Sequence, residues 1–378
     1  MVLDQLDQSE KYPRDVQTAL VAIAVEKAYG FRLRKGQASV LWSLMFNERD
    51  VLLSARTSFG KSLLFQAPSI FRRRTTTIII IPITKVGQEQ SEKLENYGAK
   101  PCLITAETLR QSPRIWDDVR RRKYTHILMS PEIATSARFG EVLKDTAFRS
   151  SIRWLAIDEA HLVRTWGEDF RKQYAQLSYL RSLLPSNCVW SACSATLDDA
   201  TVNFIRRSCR FSSNLKVWRT TIDRPEISLV VQQIRKNKRS TYEDLFFTVE
   251  KAAVDGNVAN IPKTVIYLDS VNEISVLAER LREWIRTSTD GYQIRVNADS
   301  AVETYYSNLN EFDKQRIYEE FRKEDSQIRI IVATESLGLG VDLDDIEVVV
   351  QYGLPRDISL AEIWQRFGRV TGCMVCDT

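Results

Sequence analysis

Short apolar runs alternate with longer amphipathic stretches along this chain, and the runs fall into two groups. In the first group, strands are predicted at residues 50–55, 75–83, 126–130, 152–158 and 188–195. In the second group, they are predicted at 263–269, 328–334 and 346–354. Most of these runs are almost continuous in apolar and β-branched residues, which is typical of strands buried on both faces of a parallel sheet. The pattern therefore predicts an α/β fold.

Helical patterns fill the intervals between the predicted strands. SLLFQAPSIF and VGQEQSEKLENYG are examples in the first half. A later helix is predicted with four apolar residues on one face, namely Leu277, Leu281, Trp284 and Ile285. The pattern loosens around residues 211–262, and we place a domain boundary near 222. Two such groups predict two doubly wound domains, each with a mostly parallel sheet flanked by helices.

Composition and charge restrict the classes of function. The chain has 378 residues, of which 44% are hydrophobic and 27% are charged, and its net charge is +4. That balance gives no overall basic field, so a nucleic-acid site would have to be a local groove. The basic clusters at 71–75 and 119–124 are either part of such a groove or solvated surface.

Other features predict an intracellular soluble protein that does not bind membranes. Six cysteines are too few for a disulfide scaffold, and they suit a reducing compartment. No apolar run approaches the ~20 residues that span a bilayer. The first residues are polar and acidic, unlike a secretory signal.

Residues 55–62, ARTSFGKS, nearly match the phosphate-binding loop pattern G-x-x-x-x-G-K-S/T. The stretch lies between a predicted buried strand and a predicted helix, where backbone N–H groups can bind phosphate oxygens. Lys61 would reach the β- and γ-phosphates, and the Ser62 hydroxyl would ligate Mg²⁺. The other residues expected to contact the nucleotide are Thr57, Ser58, Phe59 and Gly60. Because Ala55 and Ser58 replace glycines common in such loops, a strand–turn–helix without a ligand is the alternative.

A second element of the same chemistry is LAIDEAH at residues 155–161. Asp158 and Glu159 follow a predicted buried strand, about 100 residues after the loop. In phosphate-loop NTPases the first such carboxylate holds Mg²⁺, and a second can act as the general base that deprotonates water. The alternative is that these acids only cap the next helix.

Several motifs in order resemble those of a known family. DEAH at 158–161, the Lys61 loop, SAT at 194–196 and QRFGRVTG at 365–372 resemble the two-lobed helicases of the DEAD/DEAH kind. Four further stretches resemble the RecQ-type DNA helicases of superfamily 2, namely RKGQ (34–37), LVRTWGEDFRKQY (162–174), TIDRPEI (221–227) and VATESLGLGVD (332–342). The resemblance runs from about residue 29 to 372. It implies two tandem RecA-like P-loop domains, a helicase ATP-binding domain at 1–222 and a helicase C-terminal domain at 223–378.

The resemblance also implies roles at the nucleotide. Gln37, helped by Arg34, would read the adenine edge, and Asp342 would also contact the nucleotide. Gln365 and Arg369 would form the finger motif, in which an arginine stabilises charge on the transferred phosphate.

For nucleic acid, the resemblance implies stacking and backbone contacts. Trp166 and Phe170 would stack on bases, and Arg171 would add a phosphate or cation–π contact. Pro82 and Ser130 belong to segments that would grip the phosphate backbone without regard to sequence. His161, Ser194 and Thr196 would couple the ATP site to the nucleic acid.

The implied function is an ATP-dependent DNA helicase or translocase that moves 3′ to 5′. Its partners would be ATP with Mg²⁺, single-stranded DNA, and fork or junction duplexes. The family is associated with DNA repair and recombination and, in a eukaryote, with the nucleus. Two alternatives stay open: a related RNA helicase, and a catalytically weak or inactive ATP-sensing DNA-binding fragment.

Three departures from the family pattern bear on the second alternative. Gly372 stands where the finger motif usually has a second arginine, and Ser307 and Asn308 stand where the family tends to have histidine and alanine. The sequence also stops at Thr378, before the zinc-binding and winged-helix modules of many members. Cys373 and Cys376 supply two thiols, half of the four ligands that a zinc site needs, so zinc has little support.

Overall fold

The computed structural model describes residues 11–34, 36–47, 49–56, 59–82, 84–164, 176–234, 241–250, 257–289, 298–334, 337, 345–354, 358 and 360–370. The chain divides into two compact units, one within residues 1–222 and the other within 223–378. None of the helices in the described ranges combines the length and apolar character that crossing a membrane requires.

The first unit is built around one parallel sheet. Within its described residues the strands are β1 (Val51–Ser54), β2 (Thr76–Ile80), β3 (Pro101–Ile104), β4 (His126–Met129), β5 (Ile152–Ile157), β6 (Val189–Ser194) and β7 (Lys216–Arg219). The helices are α1 (Arg14–Tyr29), α2 (Gln37–Met45), α3 (Lys61–Phe71), α4 (Thr84–Asn96), α5 (Ala106–Gln111), α6 (Ile115–Arg120), α7 (Pro131–Ala134), α8 (Ala137–Val142), α9 (Thr146–Ser151), α10 (Ser178–Leu183) and α11 (Asp199–Ser208).

The strand order in this sheet is β3–β4–β2–β5–β6–β1–β7, and every neighbouring pair is parallel. Successive side chains of a strand point to opposite faces, so Leu52 and Leu53 enter different cores. One core contains residues of α6 and α8–α11, and the other contains residues of α1–α4. The sheet is therefore covered on both faces, as its β-branched runs predict.

His126 links the sheet to α3 from inside the core. Its Nε2 donates a hydrogen bond of 2.8 Å to the carbonyl oxygen of Gln66, and its Nδ1 lies 2.9 Å from Oγ1 of Thr125. Because the side chain is fully buried, its pKa is lowered to about 4. The neutral imidazole is therefore a structural tie between β4 and α3.

The second unit has a smaller parallel sheet. Its described strands are β8 (Thr264–Tyr267), β9 (Val302–Tyr305), β10 (Ile330–Ala333) and β11 (Val348–Gln351), in the order β11–β8–β10–β9. The helices are α12 (Val271–Thr289), α13 (Ala298–Ala301), α14 (Glu311–Phe321) and α15 (Leu360–Phe367), and 3₁₀ turns span Glu243–Thr248 and Val258–Asn260. Helices α12 and α14 supply residues to two different cores. The apolar face predicted for α12 is confirmed, since Leu277, Leu281 and Ile285 are buried and Trp284 packs against them.

The α/β fold with mostly parallel sheets is thus confirmed, while three strands were missed. The missed strands are β3, β7 and β9, and each lies at the edge of its sheet. Edge strands are only partly covered, and in two of the missed strands polar residues interrupt the apolar run, namely KVWR in β7 and VETY in β9. The central strands were found, but the predicted run 75–83 extends beyond β2, because the chain leaves the sheet after Ile80.

Candidate active site

The carboxyl ends of the central strands bring the loop and the two acids to one edge of the sheet. Ser54, the last residue of β1, pairs in register with Ser194, the last residue of β6. The N–H of Ala55 then donates to the carbonyl of Ser194 at 3.0 Å. Asp158 directly follows β5, and its N–H donates to Ile80 at the end of β2. In parallel α/β sheets, ligands bind at this carboxyl edge.

Gly60 fixes the end of the loop where α3 begins. Its φ and ψ are 78° and 41°, in the left-handed region that favours glycine. A Cβ at this position would lie 2.9 Å from Nε2 of Gln37, closer than such contacts allow. The backbone angle therefore favours glycine here, and a Cβ would also force the Gln37 amide to shift. Thr57 and Ser58 lie outside the described residues.

Gln37 is a buried residue that holds this part of the loop. Its Nε2 donates to the carbonyl of Phe59 at 2.7 Å, and its Oε1 accepts from the N–H of Arg34 at 2.6 Å. Both ends of the amide are thus bound to the protein in this structure, and the Arg34 side chain is exposed. Adenine recognition by Arg34 and Gln37 stays a prediction.

Lys61 and Ser62 open α3. The Lys61 side chain is 9% exposed, and its Nζ donates to the carbonyl of Arg56 at 3.3 Å, across the loop. The same ammonium lowers the pKa of Asp158, which means that it lies near that carboxylate. Ser62 is half-buried in the first turn of the helix.

Asp158 is held on both carboxylate oxygens. Oδ2 accepts from Nε2 of Gln90 at 2.7 Å, while Oδ1 accepts from the Cys193 thiol at 3.3 Å and from the N–H of Glu159 at 2.9 Å. Burial, followed by the neighbouring Glu159, raises the pKa of Asp158; Lys61, Cys193 and Gln90 oppose that rise. The carboxylate is therefore fixed in direction but short of positive charge.

Oxygen donors beside an electron-rich buried carboxylate suit Mg²⁺, which binds carboxylates and hydroxyls. Burial and the neighbouring Glu159 raise the pKa of Asp158, and additional cationic charge beside the carboxylate would favour its ionised form. A divalent ion would provide that charge. Asp158 and Ser62, the predicted metal-binding residues, therefore have the chemistry to hold Mg²⁺. Among the described residues, no group of three or more His, Cys, Asp or Glu forms a metal site of its own.

Glu159 adopts a strained backbone conformation. Its φ is 45°, in the left-handed region that costs a residue with a side chain roughly 1–2 kcal/mol. Its Oε2 lies 3.4 Å from Nδ1 of His161.

His161, Ser194 and Thr196 are brought together, as their predicted shared role requires. Nδ1 of His161 and Oγ of Ser194 share a hydrogen bond of 2.9 Å, in which the donor depends on the histidine tautomer. Oγ of Ser194 also accepts from the N–H of Thr196 at 3.3 Å. A continuous set of contacts thus runs from Glu159 to the segment that follows β6.

The residues predicted to bind nucleic acid are only partly placed. Buried Pro82 follows β2, and half-buried Ser130 caps α7, where its Oγ accepts from the N–H of Ile133 at 3.5 Å. Both lie at the carboxyl edge of the sheet, since β2 and β4 are parallel. Trp166, Phe170 and Arg171 lie outside the described residues.

In the second unit the finger motif lies at the end of α15. Gln365 is buried in that helix, and Arg369 is half-buried two residues after its end. Arg366, between them, donates to Oε1 of Gln351 at 2.5 Å and lies 4.9 Å from the centre of the Tyr267 ring. Asp342, Gly372, Cys373 and Cys376 lie outside the described residues.

Sequence reasoning missed three residues that contact the predicted machinery. Gln90 and Cys193 bind the Asp158 carboxylate, and Arg224 binds the backbone on both sides of Arg369. Arg224 belongs to the quoted motif TIDRPEI, so its presence was noted without a role. Gln90 lies in a predicted helix and Cys193 in a predicted strand, and neither has a sequence signal for a role. Their contacts with Asp158 form only when the chain folds.

Comparison with known proteins identifies two domain families. The model of the DEAD/DEAH box helicase family matches residues 34–205, and that of the helicase conserved C-terminal domain matches 247–371. The chain is 26% identical over 352 residues to the ATP-dependent DNA helicase RecQ of Haemophilus influenzae, covering 92% of this chain and 51% of that protein. It is 25% identical over 345 residues to a protein of Acanthamoeba polyphaga mimivirus provisionally named as an ATP-dependent RNA helicase, covering 91% of this chain and 57% of that protein.

A solved structure supports the same architecture. The DUF1998 helicase MrfA, bound to DNA and AMPPNP, matches with a TM-score of 0.71 and 18% identity over 93% of this chain and 48% of that one. At this identity the likeness shows the fold, and with the two parallel sheets it confirms two tandem RecA-like domains. The chain spans about half the length of the proteins it matches here.

Proposed function

Because this chain belongs to the DEAD/DEAH-box helicases, as a helicase core of the RecQ type, we propose that it hydrolyses ATP and uses the hydrolysis to move along single-stranded DNA. The observation that carries the proposal is the assembly at one sheet edge of the Gly60 turn, the Asp158–Glu159 pair and the His161–Ser194 contact. The proposed phosphate site, the acid pair and the proposed route to a second ligand would therefore share one surface.

ATP binding would depend on the loop and the start of α3. Backbone N–H groups at a helix N-terminus favour an anion, and Gly60 permits the sharp turn that exposes them. Lys61 supplies the positive charge for the β- and γ-phosphates. Mg²⁺ held by Asp158 and Ser62 would neutralise phosphate charge when bound. Gln37 would act at the adenine or through its hydrogen bond to Phe59.

Hydrolysis would use Glu159 as the general base. Its carboxylate adjoins that of Asp158 at the same sheet edge, where a water that attacks the phosphate would need a proton acceptor. Asp158 is held in place by Gln90 and Cys193, so Glu159 is the acid left to accept the proton. We assign Arg369 as the arginine finger and Gln365 as its neighbour in the motif.

Coupling to the nucleic acid would run through His161. A change of charge at Glu159 acts on His161 at 3.4 Å, and His161 bonds to Ser194, which bonds to Thr196. This set of contacts links the state of the ATP site to the segment after β6. Trp166, Phe170 and Arg171 follow the same acidic motif in sequence and are proposed to contact the strand.

DNA, as the substrate, and 3′-to-5′ movement are supported by the RecQ likeness and by motifs in the sequence. Fork or junction duplexes are the proposed natural substrates, and repair and recombination the proposed setting, with a nuclear location in a eukaryote. The four free, buried cysteines of the described residues agree with a reducing compartment.

Two other functions are each favoured by one observation. The mimivirus relative supports an RNA helicase. Gly372, in place of a second finger arginine, supports a slow or inactive ATP-sensing binder. Both would retain the ATP site described above.

The experiment that separates these functions measures ATP hydrolysis without nucleic acid, with single-stranded DNA, and with RNA of the same sequence. We expect the greatest stimulation by DNA and none in Lys61→Ala. Greater stimulation by RNA would favour the RNA helicase. Absence of turnover, with DNA affinity that still depends on a non-hydrolysable ATP analogue, would favour the inactive binder. Displacement of streptavidin from the 5′ end but not the 3′ end of a strand would support 3′-to-5′ movement.

A further inference from the structure

Arg224 is a buried arginine whose guanidinium binds the finger segment through the backbone. Its side chain is only 5% exposed. One terminal nitrogen donates to the carbonyl of Gly368 at 3.0 Å, and the other donates to the carbonyl of Val370 at 2.7 Å. Its Nε donates to Glu226, which completes the pairing of the charge. The two carbonyls flank Arg369.

The backbone at this point needs an external partner. Helix α15 ends at Phe367. The last carbonyl groups of a helix accept no hydrogen bond from within the helix, so they need donors from elsewhere. The N–H groups of Gly368, Arg369 and Val370 all bond back to the helix, at 2.8, 3.1 and 3.1 Å. The carbonyls of Gly368 and Val370 are bound by Arg224, whose positive charge also suits the negative end of the helix dipole.

A planar guanidinium is suited to this task. It presents donors in a rigid fork that can bind two acceptors at once, whereas a lysine ammonium is a compact point charge on a flexible stem. Because Arg224 bonds to backbone atoms on each side of Arg369, it restricts the peptide planes that set the direction of the Arg369 side chain.

We propose that Arg224 is a positioning residue for Arg369, and that it holds the finger in the orientation required for ATP hydrolysis. This inference rests on the proposed function. It gives a role to the TIDRPEI motif at residues 221–227, next to the division between the two units at Ile222. The first residues of the second unit are thereby hydrogen-bonded to the backbone around Arg369.

The test compares Arg224→Gln and Arg224→Lys with the matched control Arg329→Gln. Arg329 lies in the same unit, is mostly buried, and donates through Nε to the carbonyl of Ile261 at 2.7 Å, away from the finger motif. We expect Arg224→Gln to lower kcat for ATP by about tenfold or more, with KM for ATP changed by less than about threefold. Arg224→Lys should fall between wild type and Arg224→Gln. A similar loss of kcat in Arg329→Gln would overturn the inference.

A double-mutant cycle isolates the positioning role. If Arg224 acts through Arg369, then adding Arg224→Gln to Arg369→Ala should lower kcat by less than about twofold further. If instead the double variant loses kcat by the product of the two single-variant losses, the inference is overturned. A residue needed only for folding would lower kcat by the same factor in wild type and in Arg369→Ala.

A measurement without ATP keeps the inference separate from the proposed function. Hydrogen exchange in a peptide covering residues 360–370 should be faster in Arg224→Gln than in wild type, and unchanged in Arg329→Gln. Equal exchange in Arg224→Gln and wild type would overturn the inference. If the wild-type chain turns over no ATP, the proposed function fails, and this exchange measurement alone decides whether Arg224 orders the finger segment.

Discussion

Replacing Gly60 with alanine tests the geometry of the phosphate loop. The φ of 78° places the new residue in the left-handed region, which costs roughly 1–2 kcal/mol for a residue with a Cβ. The added Cβ would also lie 2.9 Å from Nε2 of Gln37, so the 2.7 Å hydrogen bond from Gln37 to Phe59 must shift. Loss of that bond adds about 1 kcal/mol. The free energy of unfolding of the first unit should therefore fall by roughly 2–3 kcal/mol.

Gly98 provides a matched control for this substitution. It lies in the same unit with φ of 76°, and a Cβ added there meets no atom within 4 Å. Gly98→Ala should show only the backbone cost of roughly 1–2 kcal/mol. The difference between the two variants then measures the contact with Gln37, and adding Gln37→Ala to Gly60→Ala should remove it.

The assays are urea unfolding of the first unit and binding of a fluorescent ATP analogue. ATP affinity should fall by about tenfold or more in Gly60→Ala, and should stay within about twofold of wild type in Gly98→Ala. Equal unfolding free energies for the two alanine variants would refute the role given to Gln37. An ATP affinity unchanged in Gly60→Ala would refute the assignment of this turn to phosphate binding.

Three further predictions follow from other contacts. Gln90→Leu removes a donor 2.7 Å from Asp158 and should lower the rate of ATP hydrolysis by about tenfold, measured beside an unchanged far-UV spectrum; an unchanged rate would contradict the positioning of Asp158. Ser194→Ala should leave the basal hydrolysis rate within about twofold of wild type and reduce its stimulation by DNA, because it breaks the contact with His161; undiminished stimulation would remove Ser194 from the coupling route. Burial lowers the pKa of His126 to about 4, so the folded chain binds a proton there less readily than the unfolded chain does. The free energy of unfolding should therefore decrease by up to roughly 3 kcal/mol as pH falls from about 6.5 towards 4. If the urea midpoint of His126→Gln falls with pH as much as that of wild type, His126 is not the cause of this pH dependence.

The central strands and the reactive acids could be predicted because each has a local sequence signature. A strand buried on both faces, such as β2, is continuous in β-branched residues, and the acids of DEAH stand directly after such a strand. The parallel sheet then dictates that the loop after β1 and the acids after β5 share an edge.

Contacts made by tertiary packing left no such signature. Gln90 lies 68 residues from Asp158, and Arg224 lies 144 residues from Gly368. Three of the four edge strands in the described sheets were also missed; β7, for example, exposes most of its residues and lacks an apolar run. The left-handed backbone of Glu159 could not be foreseen, since a residue with a side chain rarely adopts it.

The central claim is that the acid pair hydrolyses ATP in response to DNA, and the most direct measurement is the rate of ATP hydrolysis at saturating single-stranded DNA for wild type and Glu159→Gln. Loss of the general base should lower kcat by about 10²-fold or more, while the affinity for ATP changes by less than about threefold. A wild-type rate no higher than that of Glu159→Gln would contradict the claim.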